Sequence, residues 1–241
     1  MKGALYLIPT HLGAADTMTR DQADLVLPAS VSGIIDRLDD FIVENEKTAR
    51  RFIKLMAPQK PQPSLRLSVL NKHTQILEHL AMLKPCLEGV DVGLMSEAGC
   101  PGIADPGADI VRLAHEKGIR VIPLVGPSSI LMAMMASGMN GQSFAFVGYL
   151  PIDKSERKLA IKNLEKTSAE KKQSQIFIET PYRNGKMLDD LTQALAPGTL
   201  LCVAADITLP TEYIRTQRIA DWKKTKVDLD KRPCIFIVYK D

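Results

Sequence analysis

The sequence predicts an α/β protein with mixed sheets flanked by helices. Two observations carry this expectation: short aliphatic runs of the buried-strand type recur along the chain, and segments of helical length with 3.6-residue apolar spacing separate them. A hydrophobic content of 45% and a charged content of 24% in 241 residues add the mass of a packed core and exclude disordered, collagen-like and coiled-coil classes.

Ala4–Pro9 is the first expected strand, an apolar run ended by proline. Pro58, Pro61 and Pro63 remove backbone donors from Ala57–Ser64, which therefore reads as an extended surface loop. Ile76, Leu80, Leu83 and Leu87 fall at helical spacing and are followed by a strand over Val90–Met95. Asp109–Gly118 reads as a short helix closed by glycine and leads into a strand over Val121–Val125. Met132, Met134, Met135 and Met139 belong to a helix and its end, with core packing as their expected role. Phe144, Phe146 and Gly148 alternate with small residues as in a short strand. Asp153–Lys172, with seven basic and four acidic residues, predicts a charged surface helix whose buried stripe would be Leu159, Ala160, Ile161 and Leu164. Strands over Ile176–Ile178, Leu200–Ala204 and Cys234–Tyr239, and a helix carrying Met187, Leu188, Leu191 and Leu195, complete the pattern. No linker interrupts it, so two domains, residues 1–120 and 121–241, are expected to meet in a short connection near residue 120.

The longest apolar run, Ile130–Ala136, is far short of the ~20 residues that span a bilayer, and the first residues lack a secretory pattern, so a cytoplasmic protein without membrane contact is expected. Cys86, Cys100, Cys202 and Cys234 are dispersed, which favours reduced, mostly buried thiols over a zinc site or disulfide framework. His73, His79 and His115 lie in helical contexts without partners at ligand spacing and are expected at the surface or at helix ends. No metal site is expected. A net charge of +3 permits an anionic substrate without demanding one. The signatures of phosphate-loop kinases, Rossmann dehydrogenases, α/β-hydrolases and zincins are absent.

Ser96-Glu-Ala-Gly-Cys-Pro-Gly-Ile-Ala-Asp-Pro-Gly107 is the most informative stretch. It follows a buried strand, leads into a helix, and its glycines and prolines let the backbone approach a ligand along a fixed path. An irregular turn needing glycine would have the same composition. Gly126-Pro-Ser-Ser129 repeats the context, with hydroxyls that could serve as helix caps.

These loops, together with Leu5–Gly13, Val121–Ser129, Ala136–Gly138, Phe144–Pro151 and Glu179–Arg183, occur in an order that resembles the tetrapyrrole methylase superfamily over nearly the whole chain. Within it the set is similar to the branch that 2′-O-methylates a cytidine of small-subunit ribosomal RNA. The resemblance implies two α/β domains with a cofactor cleft between them, a homodimer, and S-adenosylmethionine as methyl donor without metal. It places the donor against Pro9, Ala98, Gly99, Cys100, Ile103, Ser128, Ser129, Glu179, Ala205, Pro233 and Cys234. Ribosomal or other structured RNA is the implied acceptor, with Arg157 and Lys158 at a position able to meet its phosphates. Two alternatives stand beside it: methylation of a tetrapyrrole-type small molecule, and a non-catalytic S-adenosylmethionine-binding protein.

The acceptor-facing segments depart from the branch. Val43–Arg50 retains Glu44 but alters its neighbours, Val69–Gln75 keeps only Asn71, and Leu209 and Thr211 replace a lysine and a histidine beside Glu212. Glu97, Cys100 and Tyr182 stand where Asp, Thr and His are usual. Methyl transfer from a sulfonium chiefly requires alignment, and a ribose hydroxyl also benefits from a base, for which Glu44 and Glu97 are the candidate carboxylates.

Overall fold

The computed structural model describes residues 1–13, 18–71 and 74–241, which form two compact units, Met1–Ser128 and Ser129–Asp241. In the first unit the order is β1 (Ala4–Ile8), α1 (Arg20–Asp24), α2 (Ala29–Arg37), β2 (Asp40–Val43), α3 (Glu46–Met56), β3 (Arg66–Val69), α4 (Ile76–Leu87), β4 (Val92–Met95), α5 (Gly107–Glu116) and β5 (Arg120–Pro123). The second unit carries α6 (Ser129–Ser137), β6 (Phe144–Tyr149), α7 (Lys154–Lys171), β7 (Ser174–Ile178), α8 (Asn184–Ala194), β8 (Leu200–Ala205), β9 (Tyr213–Arg218), α9 (Ile219–Trp222) and β10 (Cys234–Tyr239).

The first sheet runs β3-β2-β4-β1-β5 with every pair parallel. Parallel strands need cover on both faces, and the two-residue period supplies it. Phe41 and Val43 join Ile8 and Met95 in a core against Leu27, Ile35, Phe52 and Ile53. Ile42 points the other way, joining Leu5, Val92 and Leu94 against Leu83, Cys86, Ile110 and Ala114.

The second sheet, β6-β7-β10-β8-β9, is mixed: β6 and β7 are parallel and the other pairs antiparallel. One face holds Phe177, Val203 and Phe236 under Ile161, Leu164, Met187, Leu191 and Trp222. The indole of Trp222 donates to the carbonyl of Leu201 at 2.9 Å, so the large ring is buried without an orphaned donor.

The boundary lies between Ser128 and Ser129 rather than after residue 120, because Val121 and Ile122 pair with Leu5 and Tyr6 of β1 and belong to the first sheet. On α4 the period is helical but the buried face is rotated. Met82, Leu83 and Cys86 are in the core, while Leu80 and Leu87 are exposed. His79, expected at the surface, is buried, and Leu159 and Met135, expected in the core, are 62% and 82% exposed. The four residues Met187, Leu188, Leu191 and Leu195 are buried as expected. His73 and the side chain of Ile76 lie outside the described residues. Cys86, Cys202 and Cys234 are free and buried, and burial raises their thiols, Cys86 to about 11, so they remain protonated and inert. Among the described residues no helix is long and apolar enough to cross a membrane.

Candidate functional site

All five strands of the first sheet end on one edge, the usual ligand-binding side of an open parallel sheet. Because β1 lies between β4 and β5, the segments that leave these three strands meet. The Thr10 amide donates to Gly99 O at 2.9 Å, the Gly99 amide to His11 O at 3.4 Å, and the Cys100 thiol to Pro127 O at 3.4 Å. Gly99 has φ +77°, in the left-handed region that favours glycine, and the Ser96 hydroxyl donates to its carbonyl at 3.2 Å. Gly126 admits a close approach of the segments leaving β5 and β1: a Cβ there would lie 2.2 Å from Pro9 Cβ.

The second half of the loop after β4 is held by Asp105, whose carboxylate accepts the amides of Gly102 at 2.9 Å and Gly107 at 2.7 Å. Burial pushes this carboxyl up, and the two amides oppose the shift. Ile103 and Val125 are 55% and 76% exposed on the same edge, a surface of backbone and aliphatic carbon. Of the expected donor residues in this unit, Pro9 and Gly99 are buried in the junction, Cys100 and Ser128 are half-buried, and Ala98 and Ile103 are exposed.

Glu44, at the end of β2, and Glu97, after β4, are brought together. A Glu44 carboxylate oxygen accepts the Glu97 amide at 3.2 Å, and the Glu97 carboxylate accepts the Thr48 hydroxyl at 2.6 Å. They line one pocket with Thr10, His11, Phe52 and Ser96, in which the His11 and Phe52 rings lie 5.6 Å apart. Burial pushes the Glu44 carboxyl above its usual value; the Glu97 amide opposes this, and the negative charges of Asp105 and Glu97 add to it. Thr48, His11 and Asp105 were not singled out by the sequence, since a lone Thr or Asp in a helix or loop carries no spacing signal.

The second unit brings its expected residues to one edge of its own sheet. Cys234 pairs with Ala205 and Ile235 with Ile178, so Glu179, Ala205 and Pro233 are neighbours across three strands, while Ser129 opens α6. The buried Glu179 carboxylate accepts the Thr180 amide and the Arg183 guanidinium, both at 2.6 Å. Asp206, at φ +52°, accepts Arg232 at 2.7 Å and the Thr211 hydroxyl at 2.8 Å, tying the segment after β8 to the one before β10.

A family model for tetrapyrrole (corrin/porphyrin) methylases matches residues 4–222. The chain belongs to this family. As a tetrapyrrole methylase it is a methyltransferase. It is similar to the ribosomal RNA small subunit methyltransferase I of Vibrio cholerae, 28% identical over 217 residues, covering 90% of this chain and 69% of that protein. The protein of the same name from Escherichia coli O157:H7 is 28% identical over 240 residues, covering 98% of this chain and 78% of the relative. The crystal structure of the methyltransferase CobJ shares the fold, with a TM-score of 0.60 at 18% identity, covering 99% of this chain and all of that one.

One expected substrate contact of this tetrapyrrole methylase is overturned. Arg157 is 3% exposed and is bound by Asp190 of α8 at 2.6 Å, with a further bond to Ile152 O at 2.6 Å. Its position three residues before Ala160 and four before Ile161 places it on the buried face of α7, so it cannot meet phosphate, whereas Lys158 is exposed.

Proposed function

We propose that this protein transfers the methyl group of S-adenosylmethionine to a ribose 2′-hydroxyl of small-subunit ribosomal RNA, acting as a homodimer. The observation that carries the reading is the likeness, across 90–98% of the chain, to relatives named for methylating that RNA. The first unit fits the donor: the turned backbone at Gly99 and Gly126, with exposed Ile103 and Val125, suits a ligand held by amide, carbonyl and aliphatic contacts. The donor, when bound, supplies an electrophilic methyl carbon on a sulfonium leaving group.

The chain's own residues do the rest. Pro9, Ala98, Gly99, Cys100, Ile103 and Ser128 hold the donor in the first unit, and the resemblance assigns Ser129, Glu179, Ala205, Pro233 and Cys234 further contacts to it. Glu44 receives the hydroxyl proton: its raised carboxyl is a stronger base than an ordinary glutamate. Thr48 orients Glu97, and the Glu97 amide orients Glu44. Incubating the protein with methyl-labelled donor and small ribosomal subunits, naked small-subunit RNA or a tetrapyrrole precursor tests the reading. Label in RNA supports it; label only in the tetrapyrrole, or donor binding without transfer, refutes it. Sedimentation of the purified protein tests the dimer.

A further inference from the structure

Lys154, Lys158, Lys162 and Lys166 occupy successive i,i+4 positions of α7 and are all exposed. On a helix this makes one inclined row, with ammonium groups spaced by roughly 6 Å along the axis and spread over roughly 18 Å. The acids that could neutralise it are engaged elsewhere. Glu165 turns away to accept the Ala196 amide at 2.9 Å and the Thr199 hydroxyl. Asp153 caps the helix through the amides of Ser155 at 2.9 Å and Glu156 at 3.0 Å. Glu170 reaches only Lys166, at 3.8 Å, which leaves Lys154, Lys158 and Lys162 without an ion pair among the described residues.

A second observation is independent of this row. Arg218, ending β9, and Lys240, following β10, converge on Gly198, their nitrogens 3.6 and 3.8 Å from the position of a Cβ there. Neither has an ion-pair partner among the described residues. Gly198 lies next to Thr199, the residue held by Glu165, and the Lys240 amide donates to Ser168 of α7 at 2.8 Å. The two cations therefore stand beside the helix that carries the row. Like charges at i,i+4 weaken a helix, and although Arg218 also donates to the Gly198 carbonyl at 3.1 Å, its charge stays without a counterion beside that of Lys240, so a polyanion would relieve the repulsion.

We infer that this face of the second unit, the α7 lysine row with Arg218 and Lys240, is a docking surface for the phosphate backbone of the RNA substrate. The inference rests on the ribosomal RNA reading above and adds to it a surface that positions RNA without reading its sequence. Phosphate contacts of this kind release counterions, each contributing about 0.7–0.9 to the slope of log affinity against log salt.

The test uses the full chain and naked small-subunit ribosomal RNA, with binding measured over a series of salt concentrations. Lys158→Gln/Lys162→Gln should lower the slope by about 1.4–1.8 and weaken binding at low salt, with donor affinity unchanged. Lys84→Gln/Arg112→Gln, the same charge change at exposed positions of the first unit, should leave the slope at its wild-type value. A wild-type slope in the α7 variant, or an equal drop in the control, overturns the docking surface while leaving methyl transfer to RNA standing. A wild-type protein that neither binds nor methylates the RNA overturns both.

Discussion

Gly126→Ala isolates the junction on which the proposed donor site depends. The new Cβ would lie 2.2 Å from Pro9 Cβ and 2.3 Å from Pro9 Cγ. Carbon atoms rest at about 3.5–4.0 Å, so the segments leaving β1 and β5 must part by roughly 1.3 Å or more. Neither side yields easily, because Pro9 is a ring fixed to β1 and β5 is registered to the same strand, with the Leu124 amide donating to Leu7 O at 3.0 Å. Overpacking of this kind costs about 1–3 kcal/mol of stability. Misplacing the backbone by that distance forfeits one or two donor hydrogen bonds of about 0.5–1.5 kcal/mol each, a loss of roughly 2- to 150-fold in affinity. Gly118→Ala provides the contrast: φ is +60° at the end of α5, so strain of about 1–2 kcal/mol is expected with donor affinity intact. Urea unfolding gives the stabilities, and calorimetry with S-adenosylmethionine, at a temperature where both variants are folded, gives the affinities. Wild-type donor affinity in folded Gly126→Ala would refute the placement of the donor on this edge.

Glu44→Gln should lower the transfer rate by about 10²–10⁴-fold with donor affinity unchanged, measured by single-turnover transfer. The wild-type rate should fall as pH is lowered through a midpoint above the ordinary glutamate value of 4.5, and the Gln variant should lose that limb. The linkage has the opposite sign for stability: a carboxyl raised in the folded state weakens the fold as pH rises through the window between its unfolded and folded values. Gln can still accept the Glu97 amide, so the variant should be no less stable at pH 7 than wild type, which thermal melts would show. Arg157→Ala strands Asp190, whose side chain is 14% exposed, and should cost about 3–5 kcal/mol in urea unfolding. The same variant, assayed where it is folded, should keep the wild-type salt slope for RNA, since the guanidinium faces the interior.

Apolar strands and glycine loops were legible in the sequence, the edge strands β5 and β6 included; strands that carry charged or polar residues were not. β1, β4, β8 and β10 are aliphatic because both faces are covered, and each was expected within two residues of its observed bounds. β3 and β9 went unread. As edge strands they carry Arg66 and Ser68, or Arg215, Thr216 and Gln217, where a buried strand carries aliphatics. β2 is central but opens on Asp40, a charge that the sequence presents as loop and the fold buries against Arg66 in the next strand. Arg157 misled for the same reason: a charge in a charged segment reads as solvated until its partner, here Asp190 some thirty residues away, is seen. The glycine-bearing loops after β4 and β5 could be found because glycine and proline mark required backbone paths locally. The Glu44–Glu97–Thr48 arrangement could not, because it joins the end of one strand, the loop after another and a helix turn through distances that no local pattern records.

Nucleoside mass spectrometry of small-subunit ribosomal RNA, after incubation with the protein and S-adenosylmethionine, tests the proposed activity most directly. The account predicts one additional methyl group on a ribose fragment, absent when Glu44→Gln replaces the wild type for the same time. A methyl group on a base, or none on the RNA while a tetrapyrrole precursor is methylated, would contradict it.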